Sequence, residues 1–80
     1  MMDRLQFYQD IENGKYDLAE TLKRMRKIVG MTQPEFAKLV NVAPRIIIDI
    51  ERGVANPRLS TLQKIGEPFG LKLVFRQQKT

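Results

Sequence analysis

Eighty residues with no cysteine and no histidine exclude disulfides and any thiolate or imidazole metal centre, so neither a metal nor another cofactor is expected. A chain this short buries only about 60–65% of the surface its unfolded form exposes, and with no covalent staple available a second copy of the chain is the expected supplement. No apolar run approaches the roughly 20 residues of a membrane span, and the opening MMDRLQFYQD lacks the basic-then-apolar layout of a signal peptide, so a soluble cytoplasmic protein with no membrane partner is expected.

The net charge of +5 is unevenly placed. Residues 1–22 hold five acids against two bases, a net of −3, whereas residues 23–80 hold twelve bases against four acids, a net of +8. A basic stretch of this kind points to a polyanion, most simply nucleic acid, with a solvated basic surface as the equal alternative. With Ser60 the only serine, no acid–base or nucleophile set is evident, and no enzymatic activity is expected.

Residues 3–12 read as a helix, with Leu5, Tyr8 and Ile11 or Glu12 at helical spacing and Asn13-Gly14 as its stop. Residues 1–16 are thereby set apart as an N-terminal extension. The next helix opens at Asp17, with Glu20 as its capping partner, and carries Leu18, Leu22, Met25 and Val29 as one stripe before Gly30 ends it. Thr32 opens another, paired with Glu35 and tolerating Pro34 in its first turn; Phe36, Ala37, Leu39 and Val40 are its expected buried face.

Asn41 suits the left-handed conformation of a tight turn, and Val42 plugs that turn. Pro44 then starts a helix running through Ile47, Ile50 and Glu51 to Gly53. Residues 54–57 are a loop. A last helix carries Leu59, Leu62, Ile65 and Phe69, and Pro68 is expected to distort or end it. Leu71, Leu73 and Phe75 alternate with polar and apolar neighbours as in a half-buried strand.

Two short helices at 32–40 and 43–52, joined by a tight turn, form the unit that carries function. The first must approach the second closely, which favours the small Ala37. The turn calls for a residue at ease with positive φ, Asn41. The second helix must be anchored by Ile47 and Ile50 while its outer face and N-terminus stay free. Counted from Gln33, these are positions 5, 9, 15 and 18.

This spacing resembles the helix-turn-helix of the Xre/Cro repressors, as do the runs T-Q-x-E-F-A-K-L-V, V-x-x-x-x-I-x-x-I-E-R-G and N-P-x-L-x-T-L-x-K-I, in order, over roughly residues 18–70. The resemblance implies an all-α fold, a lambda-repressor-like bundle with a DNA-binding domain at 17–70. It also implies a nucleoid-associated repressor of double-stranded DNA. The chain departs from the family pattern in having Asn41 where glycine is usual at the turn. It also has Ile46 where a small polar residue is usual, and Ile48 as a second outward apolar residue.

Carried over position by position, the resemblance places Thr32 and Gln33 at the DNA end of the supporting helix, Gln33 as a phosphate or base contact. Ala43, Pro44, Arg45, Ile48 and Asp49 take groove-facing positions. Arg45 is expected either to grip guanine or to hold a phosphate, and Ala43 or Ile48 to meet a thymine methyl. Asp49 either accepts from cytosine or holds Arg45 or Arg52 in place. Arg52, Asn56 and Arg58 resemble the family's backbone clamp. Arg26 and Glu51 resemble the pair that ties its first helix to the recognition helix. Ile46 is open between core, partner and methyl contact.

Residues 71–80 are read as a C-terminal strand, 71–76, and its tail. A lone strand leaves its backbone groups unpaired unless a second copy supplies the same strand across a two-fold axis. Leu71, Leu73, Val74 and Phe75 are therefore the expected dimerisation residues. The run NPRLSTLQKIGEPFGLKLVF resembles HipB-type antitoxins, which implies an operon autorepressor on an inverted-repeat operator that also restrains a HipA-like kinase toxin. A stand-alone repressor, and a protein-interaction module without DNA binding, are the two other readings.

Overall fold

The computed structural model describes residues 4–75 and 77. Among them are five α-helices: α1 (Arg4–Glu12), α2 (Leu18–Ile28), α3 (Gln33–Val40), α4 (Pro44–Glu51) and α5 (Leu59–Gly66), followed by a 3-10 turn at Glu67–Phe69. Each boundary has a local chemical cause. Asp17 Oδ1 accepts the Glu20 backbone N–H at 2.8 Å and opens α2. At α3 the Thr32 hydroxyl accepts from the Glu35 N–H at 3.3 Å while the Glu35 carboxylate accepts from the Thr32 N–H at 2.8 Å, a complete capping box. The Thr32 backbone N–H, and after it the Thr32 side chain, hold the Glu35 carboxyl below its ordinary range. Pro68 acts as expected: α5 stops at Gly66 and the chain tightens into the 3-10 turn.

The core is built from Phe7, Leu22, Met25, Phe36, Ala37, Val40, Ile47, Ile50, Ile65 and Phe69, with α3 on α4, α2 on α4 and α1 on α2 as the principal contacts. The predicted stripes are right in their centres and wrong at their margins. Leu18, Leu39 and Leu59 are 42%, 45% and 64% exposed, because each sits at the edge of its helix's buried arc.

The first helix forms, turned from the expected face. Leu5 is exposed and Phe7 is fully buried in the common core, with Tyr8 and Ile11 partly buried beside it. The rotation also buries Asp10, whose carboxylate accepts from the Tyr16 hydroxyl and from Gln6 Nε2 at 2.9 Å, with Lys15 Nζ at 3.9 Å. The Tyr16 bond, then the Gln6 bond, hold the Asp10 carboxyl below its ordinary range against the opposing effect of burial. Tyr8 Oη donates to the Phe69 carbonyl at 2.7 Å, and the Arg4 guanidinium lies 5.9 Å from the Phe69 ring centre, so α1 also grips the 3-10 turn.

No strand forms among the described residues. Residues 71–75, the described part of the expected strand (Arg76 lies outside the described residues), have no ladder, because the described residues offer no second extended segment to pair with them. Leu71 packs against the core, whereas Leu73, Val74 and Phe75 are exposed.

Phe7→Ala should cost about 3–5 kcal/mol, a large part of the stability of a domain this small, measured by urea unfolding. Asp10 and Glu35, whose carboxyls titrate lower folded than unfolded, add stability that is complete above the unfolded value. It is lost as the pH falls below about 4. Asp10→Asn should flatten that acid loss in an unfolding series against pH.

Candidate nucleic-acid interface

The unit begins with a close approach. Ala37 is fully buried where α3 meets α4, and a larger side chain there would push the helices apart. Asn41 follows in the left-handed region at φ 60°, ψ 49°, a conformation asparagine tolerates better than most residues. The Val42 N–H then donates to the Ala37 carbonyl at 3.0 Å, closing the turn, with Val42 partly buried beneath it.

Ile47 and Ile50 anchor α4 in the core, at 0% and 3% exposure. Glu51 anchors its C-terminal end through charge. Arg26 Nε donates to Glu51 Oε2 at 2.9 Å and Arg26 Nη2 to Oε1 at 2.9 Å, a bidentate fork. Arg26 Nη1 reaches the Met31 carbonyl at 3.1 Å, and Gln33 Nε2 donates to Glu51 Oε1 at 3.2 Å. Burial pushes the Glu51 carboxyl up, but the bonds from Arg26 and Gln33 and the nearby charges of Arg26 and Lys23 outweigh it and leave it below its ordinary range. The same pairing raises Arg26.

With α4 fixed by this inner face, Ala43, Pro44 and Arg45 lie exposed at its N-terminal end, with Ile48, Asp49 and Arg52 following along the helix. Asn56 and Arg58 are exposed in the succeeding loop. The Arg45 side chain is 72% exposed and its Nε lies 3.2 Å from Asp49 Oδ1. Asp49 therefore holds Arg45, the tethering role considered for it. An exposed pair at this spacing is worth about 0.3–0.5 kcal/mol, so a stronger acceptor can take the guanidinium from it.

Thr32 and Gln33 stand differently. Thr32 has its hydroxyl and N–H in the capping box, and Gln33 has its amide in the Glu51 network, so both side chains have partners inside the chain. Ile46 is partly buried and packs against the core, whereas Ile48 lies outside that cluster. The link from Gln33 to Glu51 was missed in the sequence. Its only signal there is that Gln33 opens α3 and Glu51 closes α4, the two helices that meet around the turn.

A helix-turn-helix family model matches residues 22–75. Endothelial differentiation-related factor 1 of Rattus norvegicus is 37% identical over 57 residues, 71% of this chain but 38% of that protein. The chain thus spans well under half the length of that curated relative. An HTH-type transcriptional regulator of Methanocaldococcus jannaschii is 38% identical over 52 residues, covering 65% of this chain and 79% of the regulator. Another, of Archaeoglobus fulgidus, is 38% identical over 52 residues and is covered over 73% of its length. No helix among the described residues is long and apolar enough to cross a membrane.

Glu51→Ala leaves Arg26 without its partner and should cost about 3 kcal/mol, the low end for a broken buried pair because the guanidinium keeps some solvent access. Urea unfolding of Glu51→Ala, Arg26→Ala and the double variant checks it. The double variant should lose less than the sum of the two, since each single change already removes the pair.

Proposed function

The chain belongs to the Xre/Cro-like helix-turn-helix family, and from that premise we propose that it is a sequence-specific transcriptional repressor that binds double-stranded DNA as a homodimer. The observation that carries the reading is α4 itself. It is buried along one face and tied down at its C-terminal end, with an exposed N-terminal end that presents Ala43, Pro44 and Arg45. A helix held this way enters a major groove with its first residues at the base edges. Arg45 is the base-reading side chain, released from Asp49 on binding, and Ala43 and Ile48 are apolar contacts for thymine methyls. Arg52, Asn56 and Arg58 hold phosphates and set register. Thr32 and Gln33 contribute from the N-terminal end of α3, Gln33 while keeping its bond to Glu51.

Leu71, Leu73, Val74 and Phe75 form the dimer contact in this proposal, each tail pairing with its copy across a two-fold axis. What supports it is the exposure of Leu73, Val74 and Phe75 on a segment whose backbone has no ladder among the described residues. A two-fold dimer presents two identical α4 helices, so the operator is an inverted repeat with half-site centres about 34–36 Å apart or a multiple of that.

Within this reading the HipB-type antitoxin is the finer assignment, resting on the resemblance of residues 56–75. A HipA-like kinase toxin is then the further partner, and the stand-alone repressor is the reading left if no such kinase binds. The interaction module without DNA binding loses one of its two supports, since Ile46 packs on the core. No catalytic role is proposed.

Arg45→Ala and Arg58→Ala should fail differently. The first should cost about 1–3 kcal/mol on the cognate operator and relax preference at one base pair. The second should weaken cognate and random DNA alike and lower the salt slope by about one. Binding isotherms over several salt concentrations, on cognate and singly substituted operators, check both; equal weakening by Arg45→Ala on every sequence makes Arg45 an electrostatic contact only.

A further inference from the structure

The C-terminal tail leaves two unmatched features side by side. One is a groove of about 170 Å³ between α2, α5 and the tail, lined chiefly by Ile11, Leu18, Thr21, Leu62, Leu71 and Leu73. The other is Phe75, whose ring is fully exposed two residues beyond the groove-lining Leu73. An apolar cavity of about 150 Å³ accommodates a benzene ring, so the groove is of a size for one phenyl group.

The start of the tail is set by two backbone bonds and a close approach to α5. Gly70 turns the chain at φ 68°, its N–H donating to the Glu67 carbonyl, and the Leu71 N–H donates to the Gly66 carbonyl at 3.0 Å. The tail then passes so close over α5 that a Cβ on Gly66 would stand 2.9 Å from the Leu71 carbonyl oxygen. Leu71 and Leu73 both line the groove. Lys72 lines it too, and Phe75 lies exposed two residues past Leu73; once paired in extended form, Leu71, Leu73 and Phe75 would share one face.

We propose that each protomer's Phe75 seats in the groove of a second copy, through antiparallel pairing of the two tails centred on Leu73. This rests on the paired-tail dimer proposed above and adds its register. With Leu73 opposite the partner's Leu73, each Phe75 lies opposite the partner's Leu71, and directly opposed residues share one face of the pair. The ring is thus carried to the residue that lines the partner's groove. A slip by one residue would set Phe75 against Lys72 and turn the apolar row away. The centred register matches 71, 73 and 75 with none left over, and it covers the exposed Leu18 and Leu73 as well.

The test uses the full chain, which contains no cysteine, so single introduced cysteines report without background. Leu73→Cys should oxidise to a disulfide dimer, because opposed residues fall within the roughly 4.4–6.8 Å Cα separation that a disulfide needs; Lys72→Cys and Val74→Cys should do so far less. By sedimentation equilibrium, Phe75→Ala should weaken the dimer about a hundredfold or more, two rings being lost. Leu18→Glu, at a position already part exposed, should weaken it likewise while circular dichroism stays unchanged. Gly66→Ala, which displaces the tail, should also weaken it. If Leu73→Cys cross-links but Phe75→Ala leaves the affinity unchanged, the tails pair and the groove serves another occupant: the inference is overturned and the dimeric repressor stands. If the unmodified chain is monomeric at every concentration and Leu73→Cys gives no cross-link, both the inference and the tail-paired dimer are overturned.

Discussion

The ion pair between Arg26 and Glu51 is the constraint on which the arrangement of α3 and α4 rests. A carboxylate taken from water is costly unless its oxygens are satisfied, and here both are: two guanidinium donors and the Gln33 amide converge on them. The remaining Arg26 nitrogen takes the Met31 carbonyl, at the bend between α2 and α3. One buried charge thus fixes the end of α2, the loop after it, the start of α3 and the end of α4. Hydrophobic contact alone would let α4 slide or rotate among similar packings, since its core residues are isoleucines of one shape. The directional pair removes that freedom, and the angle at which Arg45 leaves the surface follows from it.

A second, smaller constraint works at the other side of the molecule. The segment outside the family match begins with α1, which adds Phe7 to a core that would otherwise be short of apolar volume. Its polar anchor is Asp10, held by Tyr16 and Gln6, while the Arg24 guanidinium lies 4.3 Å from the Tyr16 ring centre. Through Tyr8 and Arg4, α1 also reaches Phe69, the residue immediately before the turn that launches the tail. The direction of residues 71–75 therefore depends on the N-terminal helix as well as on Gly66 and Gly70.

What could be read from the sequence divides along physical lines. Capping chemistry is local, so Asp17, Thr32 with Glu35, Asn41 and Pro68 announced their roles from a few neighbours, and the Arg26–Glu51 pair was legible through the family resemblance. Periodicity located α2 to α5 but not the edge of each buried arc, because Leu18, Leu39 and Leu59 are as apolar as the residues that are buried. In α1 the stripe Phe7–Ile11 competes with Leu5–Tyr8, and the choice between them turns on Asp10, whose burial needs Tyr16 and cannot be inferred from hydrophobicity. The tail at 71–75 alternates as a strand does, but alternation is a property of one segment and a ladder a property of two, so a single chain shows none among its described residues.

The two isoleucines that depart from the family pattern separate in the structure, and the separation bears on how α4 would read DNA. Ile46 packs against the core and replaces a polar residue with anchoring area. That leaves the outer face with Arg45, Ile48 and Asp49, of which the charged pair is closed on itself in the free chain. A face with one cation, one anion and one aliphatic group makes few directional bonds to base edges. Apolar contact with thymine methyls discriminates less than a bidentate bond, because it leaves no buried polar group unpaired when the base is wrong. In the proposed dimer much of the discrimination would then fall to Arg45 and to the spacing of the two copies of α4. Register between protomers, set far from the groove by the tail, would be as much a part of recognition as any side chain on the helix.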